Sequence, residues 1–522
     1  MSMRPRVIVI GAGLGGIAAA ARLARAGFAV QLVEKNKAAG GRCSQLVHEG
    51  HRFDIGATLF LMREVFAETY AALGEHMEDH LDLRRIDPTY YVHFAHGADL
   101  ALTNDLTTMQ AQLEAIEPGS FGALLRYLVE GHRAYHLALE RLVGRNFYSL
   151  ADYFSPRNLP LLIQLKPLVK HYANVSRYFR DPRLRAAFSF QNMYLGLSPF
   201  DAPATYTLLQ YTELADGVWF PIGGLYRIIE SMVAIAEAHG VTFRFRAPVK
   251  QIALEGDRAT GVVLEDGTRL DADIVVANAD LPYVYARLLP DRQAASRMER
   301  LHHTSSAIMF YWGVDTTYPQ LGTHNVFLAD DYRGSFDRIF KDHTLPDEPS
   351  IYVHAPARVD PSAAPVGQET LMALVPVGHL DTRVEQDWPA LQARARTAIL
   401  ARLSKDAKMP DLERHIKFEI GFTPRHWATM YNLSKGAAFG LSHSFAQVGY
   451  LRPHNRHQRY GNLYFVGSST HPGTGLPLVL ISARLTTERI LKDSGNQRPG
   501  ASTQTPGEVR SKYDVKELIQ PV

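Results

Sequence analysis

Four residues near the start of the chain have the types and spacing of a nucleotide-binding turn. Gly11, Gly13 and Gly16 form a G-x-G-x-x-G pattern, and Glu34 follows 18 residues after Gly16. In such a turn the first glycine permits a tight bend, the second lets the backbone approach a pyrophosphate, and the third allows a helix to pack closely on a strand. The helix N-terminus faces the phosphates, and the acid accepts hydrogen bonds from ribose hydroxyls. The pattern therefore predicts a dinucleotide site.

The elements that must position this turn are indicated on both sides of it. Residues 7–10 are a β-branched run, typical of a strand buried on both faces of a parallel sheet. Residues 17–26 are rich in alanine and predict a helix that Gly27 ends, and residues 28–33 predict a second strand. Later stretches with α/β texture are a helix at 225–239, strands at 241–245, 273–278 and 462–467, and a helix at 479–491.

Two further glycine turns indicate which dinucleotide binds. One is at 40–42 and the other at 56–58, soon after the fingerprint. An NAD dehydrogenase has no evident need for them, whereas a chain that must pass the pyrophosphate and ribityl of a longer cofactor does. FAD is therefore the predicted cofactor, with Arg42 as a cation near phosphate or flavin, or alternatively paired with a carboxylate. The predicted contacts beyond Glu34 are Lys35, Gly41, Arg42, Gly56, Ala57 and Thr58.

Several later segments carry a family resemblance. They are Tyr194–Phe200 (YLGLSPF), Tyr211–Glu213 (YTE), Trp219–Leu225 (WFPIGGL) and Gly467–Pro477 (GSSTHPGTGLP). Together with the N-terminal turns they closely resemble the bacterial and fungal phytoene desaturases over about residues 5–491. This family lies within the flavoprotein group that also contains amine oxidases and protoporphyrinogen oxidases. The T-H-P-G-x-G-x-P loop makes the resemblance specific.

The resemblance implies an FAD-dependent oxidoreductase that acts on CH–CH bonds. The expected substrate is a long-chain carotenoid precursor, 15-cis-phytoene, desaturated toward neurosporene or lycopene by hydride transfer to the flavin. The loop at 467–477 is implied to pass the isoalloxazine, with the helix after it pointing its N-terminus at the flavin. The residues implied to contact FAD in this part of the chain are Val249, Gly467, Ser468, Gly475, Leu476 and Pro477.

Few side chains are expected to act in such a reaction, because it mainly needs an apolar tunnel and correct placement against the flavin. Glu213 and Asp216 are candidates for a carboxylate that favours a carbocation, and His471 in the flavin loop is a third catalytic candidate. A structural role is the alternative for each of the three. The histidines at 443, 454 and 457 match no metal-ligand spacing, which predicts a polar surface loop there and no metal site.

The composition of the chain limits the kinds of partner that the protein can bind. The chain has 522 residues, 56 Lys plus Arg against 53 Asp plus Glu, and a net charge of +3, which is too balanced for a nucleic-acid binder that works by general charge. The single cysteine excludes a disulfide framework and favours a cytoplasmic compartment.

No segment reaches the roughly 18–20 apolar residues of a membrane span. Residues 157–185 combine apolar side chains with a net charge of +6, which predicts peripheral membrane contact, a solvated helix face being the alternative.

The expected fold is α/β, with a Rossmann-like FAD-binding domain of the flavin amine oxidase/carotenoid desaturase type and an inserted α+β substrate domain. The predicted segments are 1–95, 216–290 and 425–492 for the FAD-binding domain, 96–215 for a helical substrate- and membrane-facing region, 291–424 for the substrate domain and 493–522 for a disordered tail. Alternatives within the family are a C30 diapophytoene desaturase, a hydroxycarotenoid desaturase and a carotenoid oxygenase. Alternatives outside it are an amine or porphyrinogen oxidase and a non-enzymatic lipid escort. Oxygen or a membrane quinone is the expected electron acceptor.

Overall fold

The glycine-rich turn joins the first strand to the first helix of a parallel sheet in the computed structural model, which describes residues 4–156 and 158–495. The strands in chain order are β1 (Arg6–Ile10), β2 (Ala29–Val33), β3 (Cys43–His48), β4 (His51–Gly56), β5 (Leu83–Ile86), β6 (Tyr90–His93), β7 (Leu100–Leu102), β8 (Val218–Pro221), β9 (Thr242–Arg244), β10 (Val249–Glu255), β11 (Arg258–Leu264), β12 (Arg269–Asp271), β13 (Ile274–Ala277), β14 (Ser306–Val314), β15 (His324–Phe327), β16 (Ile351–His354), β17 (Glu369–Val377), β18 (Ile416–Phe422) and β19 (Leu463–Phe465).

Between the strands lie α-helices and short 3-10 or π turns. The α-helices are α1 (Leu14–Arg25), α2 (Arg63–Ala71), α3 (Met77–His80), α4 (Leu106–Ile116), α5 (Ser120–Ala138), α6 (Leu150–Tyr153), α7 (Leu159–Gln164), α8 (His171–Val175), α9 (Pro182–Ala187), α10 (Leu208–Tyr211), α11 (Tyr226–Ala238), α12 (Leu281–Tyr283), α13 (Arg292–Glu299), α14 (Tyr332–Phe340), α15 (Trp388–Asp406), α16 (Leu412–His415), α17 (Pro424–Tyr431) and α18 (Leu476–Asp493).

The first sheet has five parallel strands in the order β19-β13-β1-β2-β9. They come from three separated parts of the chain, 6–33, 242–277 and 463–465. Val9 on β1 pairs with Leu32 on β2 and with Val276 on β13. A β-branched central strand of this kind has to be packed against other elements on both faces, as β1 is. The predicted α/β fold is confirmed.

Two layers provide that cover. Helices α1, α11 and α18 lie on one face, and the antiparallel sheet β10-β11-β12 lies on the other. The alanines Ala18–Ala21 of α1 are fully buried, since their small side chains let α11 and α18 approach closely. The parallel strands end beside the Gly11–Gly16 turn, which is where ligands bind in open α/β sheets.

The second sheet has seven strands in the order β18-β14-β17-β16-β15-β6-β7, antiparallel except for the β15–β6 pair. All nine residues of β14 are buried. Its Ile308, Phe310 and Trp312 share a hydrophobic core with α15. Met309, which alternates with them, belongs to a different core and lines the cavity described below. The sheet therefore has α15 on one face and that cavity on the other.

The sequence analysis missed strands β5, β6 and β7, the last of which lies in the region predicted to be helical, 96–215. β6 and β7 extend the seven-stranded sheet, and β5 pairs with β8. All three are short, at four, four and three residues, so they carry little periodicity to detect. β6 lies in the region that the sequence assigned to the FAD-binding domain, yet it pairs with β15.

Within the described residues, no helix is both long enough and apolar enough to cross a bilayer. The last helix, α18, ends at Asp493, and the structure describes the chain to residue 495. The remainder of the predicted tail, 496–522, lies outside the described residues, as does Arg157 of the predicted membrane-facing segment.

Candidate active site

Gly11 and Gly16 let β1 and α1 come close together. Gly11 has φ +98°, and a Cβ there would lie 2.7 Å from the carbonyl oxygen of Asn278. A Cβ on Gly16 would overlap the carbonyl oxygen of Gly11. Gly13 precedes α1 as its N-cap residue and lines the large cavity. The turn thus has the shape that the spacing predicted, with unpaired backbone N–H groups of the first helical turn at an anion-binding position.

Asn278, which the sequence analysis did not single out, fixes this turn from the neighbouring strand. Its side-chain amide donates to the carbonyl oxygen of Gly11 at 3.0 Å and to that of Gly13 at 3.4 Å. The available signal was its position at the polar end of the buried strand β13. Such strand ends meet at the ligand-binding edge of a parallel sheet.

Glu34 lies at the end of β2 and is 7 % exposed. One carboxylate oxygen accepts a hydrogen bond from the Ala12 N–H and the other from the Asn36 N–H, both at 2.8 Å. Each carboxylate oxygen has a second lone pair. Because Glu34 also lines the cavity, it can accept ribose hydroxyls while it holds the glycine turn in place.

The two cations predicted near the cofactor point in different directions. Lys35 donates to the Thr429 carbonyl at 2.6 Å and to the Asn432 side chain at 2.8 Å, at the end of α17. Arg42 donates to the Ala438 carbonyl at 2.9 Å and to the Ser468 hydroxyl. Arg42 therefore connects the second glycine turn to the loop after β19, rather than pairing directly with a carboxylate.

The loop after β19 is held by a fully buried guanidinium. Arg452 is 1 % exposed and donates only to backbone carbonyls. The acceptors are Leu441 (3.2 Å), Ser442 (2.9 Å), Gln447 (3.0 Å), Ser468 (2.6 Å) and Thr470 (2.9 Å). These bonds join 441–447 to 468–470, next to the start of α18. The planar, five-donor guanidinium is suited to such a junction, which a point-charge ammonium could not form.

One cavity of about 590 Å³ connects all of these features. The predicted cofactor residues that line it are Gly11, Gly13, Glu34, Lys35, Gly41, Arg42, Gly56, Ala57, Thr58, Val249, Gly467, Ser468, Gly475, Leu476 and Pro477. Gly16 lies behind the turn and does not line the cavity. A cavity lined by a glycine turn, a helix N-terminus and an acid at the end of the second strand suits a dinucleotide. The first residues of α18, Leu476–Val479, line it as well.

A family model for flavin-containing amine oxidoreductases matches residues 14–491. A zeta-carotene-forming phytoene desaturase from Myxococcus xanthus is 47 % identical over 502 residues, which cover 96 % of this chain and 96 % of that one. The chain belongs to the phytoene desaturase family of flavin-containing oxidoreductases. A 4,4'-diapophytoene desaturase from Staphylococcus aureus is 33 % identical over 94 % of this chain and 99 % of its own. Among solved structures, an oxidoreductase from Methanosarcina mazei has a TM-score of 0.61 at 17 % identity, covering 92 % of this chain and all of that one, and so shares the fold.

Membership in this family confirms the predicted cofactor and class of enzyme. The protein is an FAD-dependent oxidoreductase of the carotenoid desaturase type. The roles of individual residues stay predictions that the geometry supports to different degrees. None of the three catalytic candidates, Glu213, Asp216 and His471, lines the cavity itself.

Glu213 is fully buried and does not itself line the cavity. Its polar neighbours are Tyr194, which lines the cavity, and Gln191, and neither makes a hydrogen bond of good geometry with it. Burial raises the pKa of Glu213 to about 8. At neutral pH the carboxyl group is mainly protonated, so it supplies no full negative charge to a carbocation.

Asp216 and His471 do not line the large cavity. Asp216 is half-buried, and burial raises its pKa to about 6 in the vicinity of Glu64, Arg85 and Arg63. The Nε2 atom of His471 lies 3.0 Å from the carbonyl oxygen of Arg145, in a small separate pocket, and burial lowers its pKa to about 4. Asp216 and His471 thus interact with residues from other segments of the chain, which favours a structural role for both.

The prediction of a polar surface loop around the late histidines is wrong. His443 and His457 are 3 % and 7 % exposed. The stretch is buried because its Ser442 and Gln447 carbonyls bind the Arg452 guanidinium, which also binds the loop after β19. His443 lines the cavity, and its Nε2 atom accepts a hydrogen bond from the Thr474 N–H at 3.0 Å.

A different group of polar side chains has the composition of a metal site. Ligand atoms of His343, His379 and Asp381 all lie within 4.8 Å of one another. Arg383, however, donates to both oxygens of Asp381, the shorter bond being 2.6 Å. The charge of the Asp381 carboxylate is thus already balanced by the Arg383 guanidinium, and we interpret the cluster as an ion-pair network beside β17.

Proposed function

We propose that this protein introduces double bonds into 15-cis-phytoene, toward neurosporene or lycopene. The observation that carries the proposal is the distribution of charge around the cavity. Within the described residues, the only Asp, Glu, Lys or Arg side chains that line it are Glu34, Lys35, Arg42 and Asp280. All four belong to the strand ends and loops of the cofactor side. The rest of the wall is apolar or carries hydroxyls, amides and the neutral imidazole of His443.

This wall suits a hydrocarbon and not an amine. The apolar part includes Leu139, Leu142, Leu165, Phe190, Met193, Leu208, Val326, Phe336 and Leu374. The charge of a buried ammonium substrate is best balanced by a carboxylate that is free to accept its hydrogen bonds. Asp280 is not free in this sense, because its oxygens accept the Ser434 N–H at 2.9 Å and the Ser469 hydroxyl.

The protein's own task in this reaction is placement. Bound FAD supplies the acceptor for a hydride from an allylic carbon. The apolar wall holds the polyene against that acceptor and excludes water, which would trap a cationic carbon. Oxygen or a membrane quinone is our proposal for the final electron acceptor.

A C30 substrate is the second candidate, because a 4,4'-diapophytoene desaturase is among the relatives. Competition between the two hydrocarbons in liposomes, followed by chromatography of the products, separates the possibilities. We expect phytoene to be consumed in preference, with coloured C40 products. Preferential conversion of the C30 chain would replace phytoene as the substrate, and conversion of neither would contradict the proposal.

We also propose that the protein takes its substrate from a membrane through the segment 163–170. Leu165 and Pro167 line the cavity, while Ile163 and Leu168 are 70 % and 78 % exposed. The same short segment thus has one side in the substrate cavity and the other in solvent. Exposed apolar side chains at the mouth of an apolar cavity favour insertion into the acyl boundary of a bilayer.

Charge contributes less to this membrane proposal than the sequence indicated. Lys166 pairs with Glu130 at 2.5 Å, Arg180 with Glu117 at 3.3 Å and Arg183 with Asp181 at 2.7 Å. Two of these acids lie outside 157–185, so counting charges within the segment overestimates its attraction for anionic lipid. The proposed attachment accordingly depends mainly on Ile163 and Leu168.

A further inference from the structure

A hydrogen-bonded chain leads from the cavity wall into the second sheet. The hydroxyl of Tyr352, which lines the cavity, lies 2.8 Å from the hydroxyl of Thr58 and 2.7 Å from Nδ1 of His324. His324 is 1 % exposed, and its ring stacks on that of His354 with centroids 5.0 Å apart and planes 10° apart. Burial lowers the pKa of His324 well below its usual value, so the imidazole is neutral at pH 7.

One of the two neutral tautomers of His324 can accept a proton from Tyr352. A neutral imidazole has one N–H and one lone pair. When the Tyr352 hydroxyl donates to Nδ1, the ring proton is on Nε2, which has no hydrogen-bond partner among the described residues. In this tautomer the Nδ1 lone pair faces the Tyr352 hydroxyl.

The proposed desaturation requires such a base. Each new double bond needs the loss of a proton as well as a hydride. The carboxylates that line the cavity, Glu34 and Asp280, lie on its cofactor side. The Nε2 lone pair of His443 is used by the Thr474 N–H, and Asp280 accepts bonds from Ser434 and Ser469 on the cofactor side. Glu213 does not line the cavity and is mainly protonated at neutral pH.

We propose that Tyr352 and His324 form the proton-accepting site of the reaction, an inference that rests on the proposed function. Thr58 belongs to the segment predicted to contact FAD, which places the Tyr352 hydroxyl one hydrogen bond from that segment. Tyr352 is the catalytic residue, because it touches the substrate cavity, and His324 is a positioning residue that acts through it.

Two C–H bonds of the substrate break in the proposed reaction. One breaks by hydride loss to the flavin, which is reversible until the proton is lost, so that removal of the base slows net flavin reduction. The neighbouring C–H bond then breaks, its electron pair becomes the new C=C bond, and its proton bonds to the Tyr352 oxygen. In the same step the Tyr352 O–H bond breaks toward Nδ1 of His324, which ends protonated. The substrate is thereby oxidised by two electrons, with flavin as the oxidant. A proton beside a carbocation is acidic enough for a weakly basic imidazole to accept it.

The chain offers a matched control for the decisive variant. The hydroxyl of the fully buried Tyr127 lies 2.8 Å from Nε2 of the buried His171, but neither residue lines the cavity. Tyr352→Phe and Tyr127→Phe therefore remove the same kind of hydrogen bond. The FAD-loaded variants are mixed anaerobically with phytoene in liposomes. We expect Tyr352→Phe to slow flavin reduction by about 10²-fold or more, and Tyr127→Phe to leave the rate unchanged.

Two further readouts separate proton transfer from a structural effect. In deuterated buffer the wild type should reduce its flavin more slowly, and Tyr352→Phe should lose this isotope effect while its affinity for FAD matches that of Tyr127→Phe. His324→Gln, which keeps a hydrogen-bond acceptor but cannot be protonated, should show the same loss of rate and serves if Tyr352→Phe does not fold. A wild-type rate in Tyr352→Phe or His324→Gln would overturn this inference alone. Failure of the wild type to reduce its flavin with phytoene would instead overturn the proposed function.

Discussion

The side-chain amide of Asn278 donates a hydrogen bond of 3.0 Å to the carbonyl oxygen of Gly11. This contact joins the end of β13 to the glycine turn after β1, across 267 residues of sequence. The turn is consequently held by β2 through Glu34 and by β13 through Asn278. A preformed turn binds a dinucleotide without first having to be ordered.

Asn278→Ala should weaken FAD binding and lower the free energy of unfolding by about 1–3 kcal/mol, because it leaves the half-buried Gly11 carbonyl without its partner. Asn325→Ala is the control, since the fully buried Asn325 also donates to two carbonyls, those of Gly322 and Val353 in the second sheet. Fluorescence titration with FAD should show a loss of affinity in the first variant only. Equal affinities in the two variants would contradict a role for Asn278 in shaping the turn.

Gly16→Ala should destabilise the protein by about 1–3 kcal/mol, because the new Cβ overlaps the Gly11 carbonyl and forces α1 away from β1. Gly122→Ala, in the first turn of α5, is the matched control. Its Cβ would lie no closer than 3.6 Å to another residue, so alanine should stabilise that helix by up to about 1 kcal/mol. Thermal unfolding of the holoenzymes measures both changes. An unchanged melting temperature in Gly16→Ala would contradict the close packing.

Arg452→Lys should lose FAD and unfold at lower temperature despite keeping the charge. Lysine has three donors on one nitrogen and cannot satisfy five carbonyls that converge on a planar guanidinium. Arg456→Lys, at a half-exposed position in the same loop, is the control and should change little. The retained flavin absorbance after gel filtration measures the difference. Full retention in Arg452→Lys would show that the flavin loop does not depend on this junction.

Leu168→Ser should reduce binding to liposomes without lowering stability, because Leu168 is 78 % exposed at the proposed membrane face. Leu106→Ser removes a comparably exposed leucine, at 57 %, from a different surface and should bind as the wild type does. Flotation with neutral and with anionic vesicles measures this. Similar losses on both vesicle types would support apolar insertion, whereas unchanged flotation of Leu168→Ser would contradict the proposed segment.

Glu213→Gln should change how stability depends on pH. Burial raises the pKa of Glu213 from 4.5 to about 8 in the folded protein, so between these values the folded state binds more protons than the unfolded state. Stability from this group therefore falls as the pH rises from about 5 to about 8. Glutamine removes the dependence, so the variant should gain stability relative to the wild type as the pH rises. Denaturant titrations at several pH values test this, and parallel curves for both proteins would contradict it.

The sequence predicted the parts of the fold that depend on local patterns. Strands β1 and β13 were predicted within one residue at each end. The short strands β5, β6 and β7 were missed because they are formed by pairing across the sheet rather than by their own periodicity. The N-terminus of α18 was placed three residues late, since a Gly/Pro loop does not itself mark where the helix begins.

The residues of the candidate site were likewise predicted only where a local sequence pattern marks them. The glycines and Glu34 were found because their spacing carries their function, and the structure places nearly all of the predicted cofactor residues on one cavity. Asn278, Arg452 and the Tyr352–His324 pair act through partners far away in the sequence. Only the assembled fold shows those contacts, and for the same reason the loop around Arg452 looked like a surface from its composition alone.

The central claim is that this protein transfers hydride from phytoene to bound FAD. The most direct measurement mixes the FAD-loaded protein with 15-cis-phytoene in liposomes without oxygen, while the visible absorbance of oxidised flavin and the polyene products are followed together. The account predicts loss of the flavin band together with a stoichiometric amount of desaturated product. Bound FAD that keeps its absorbance in the presence of phytoene would contradict it.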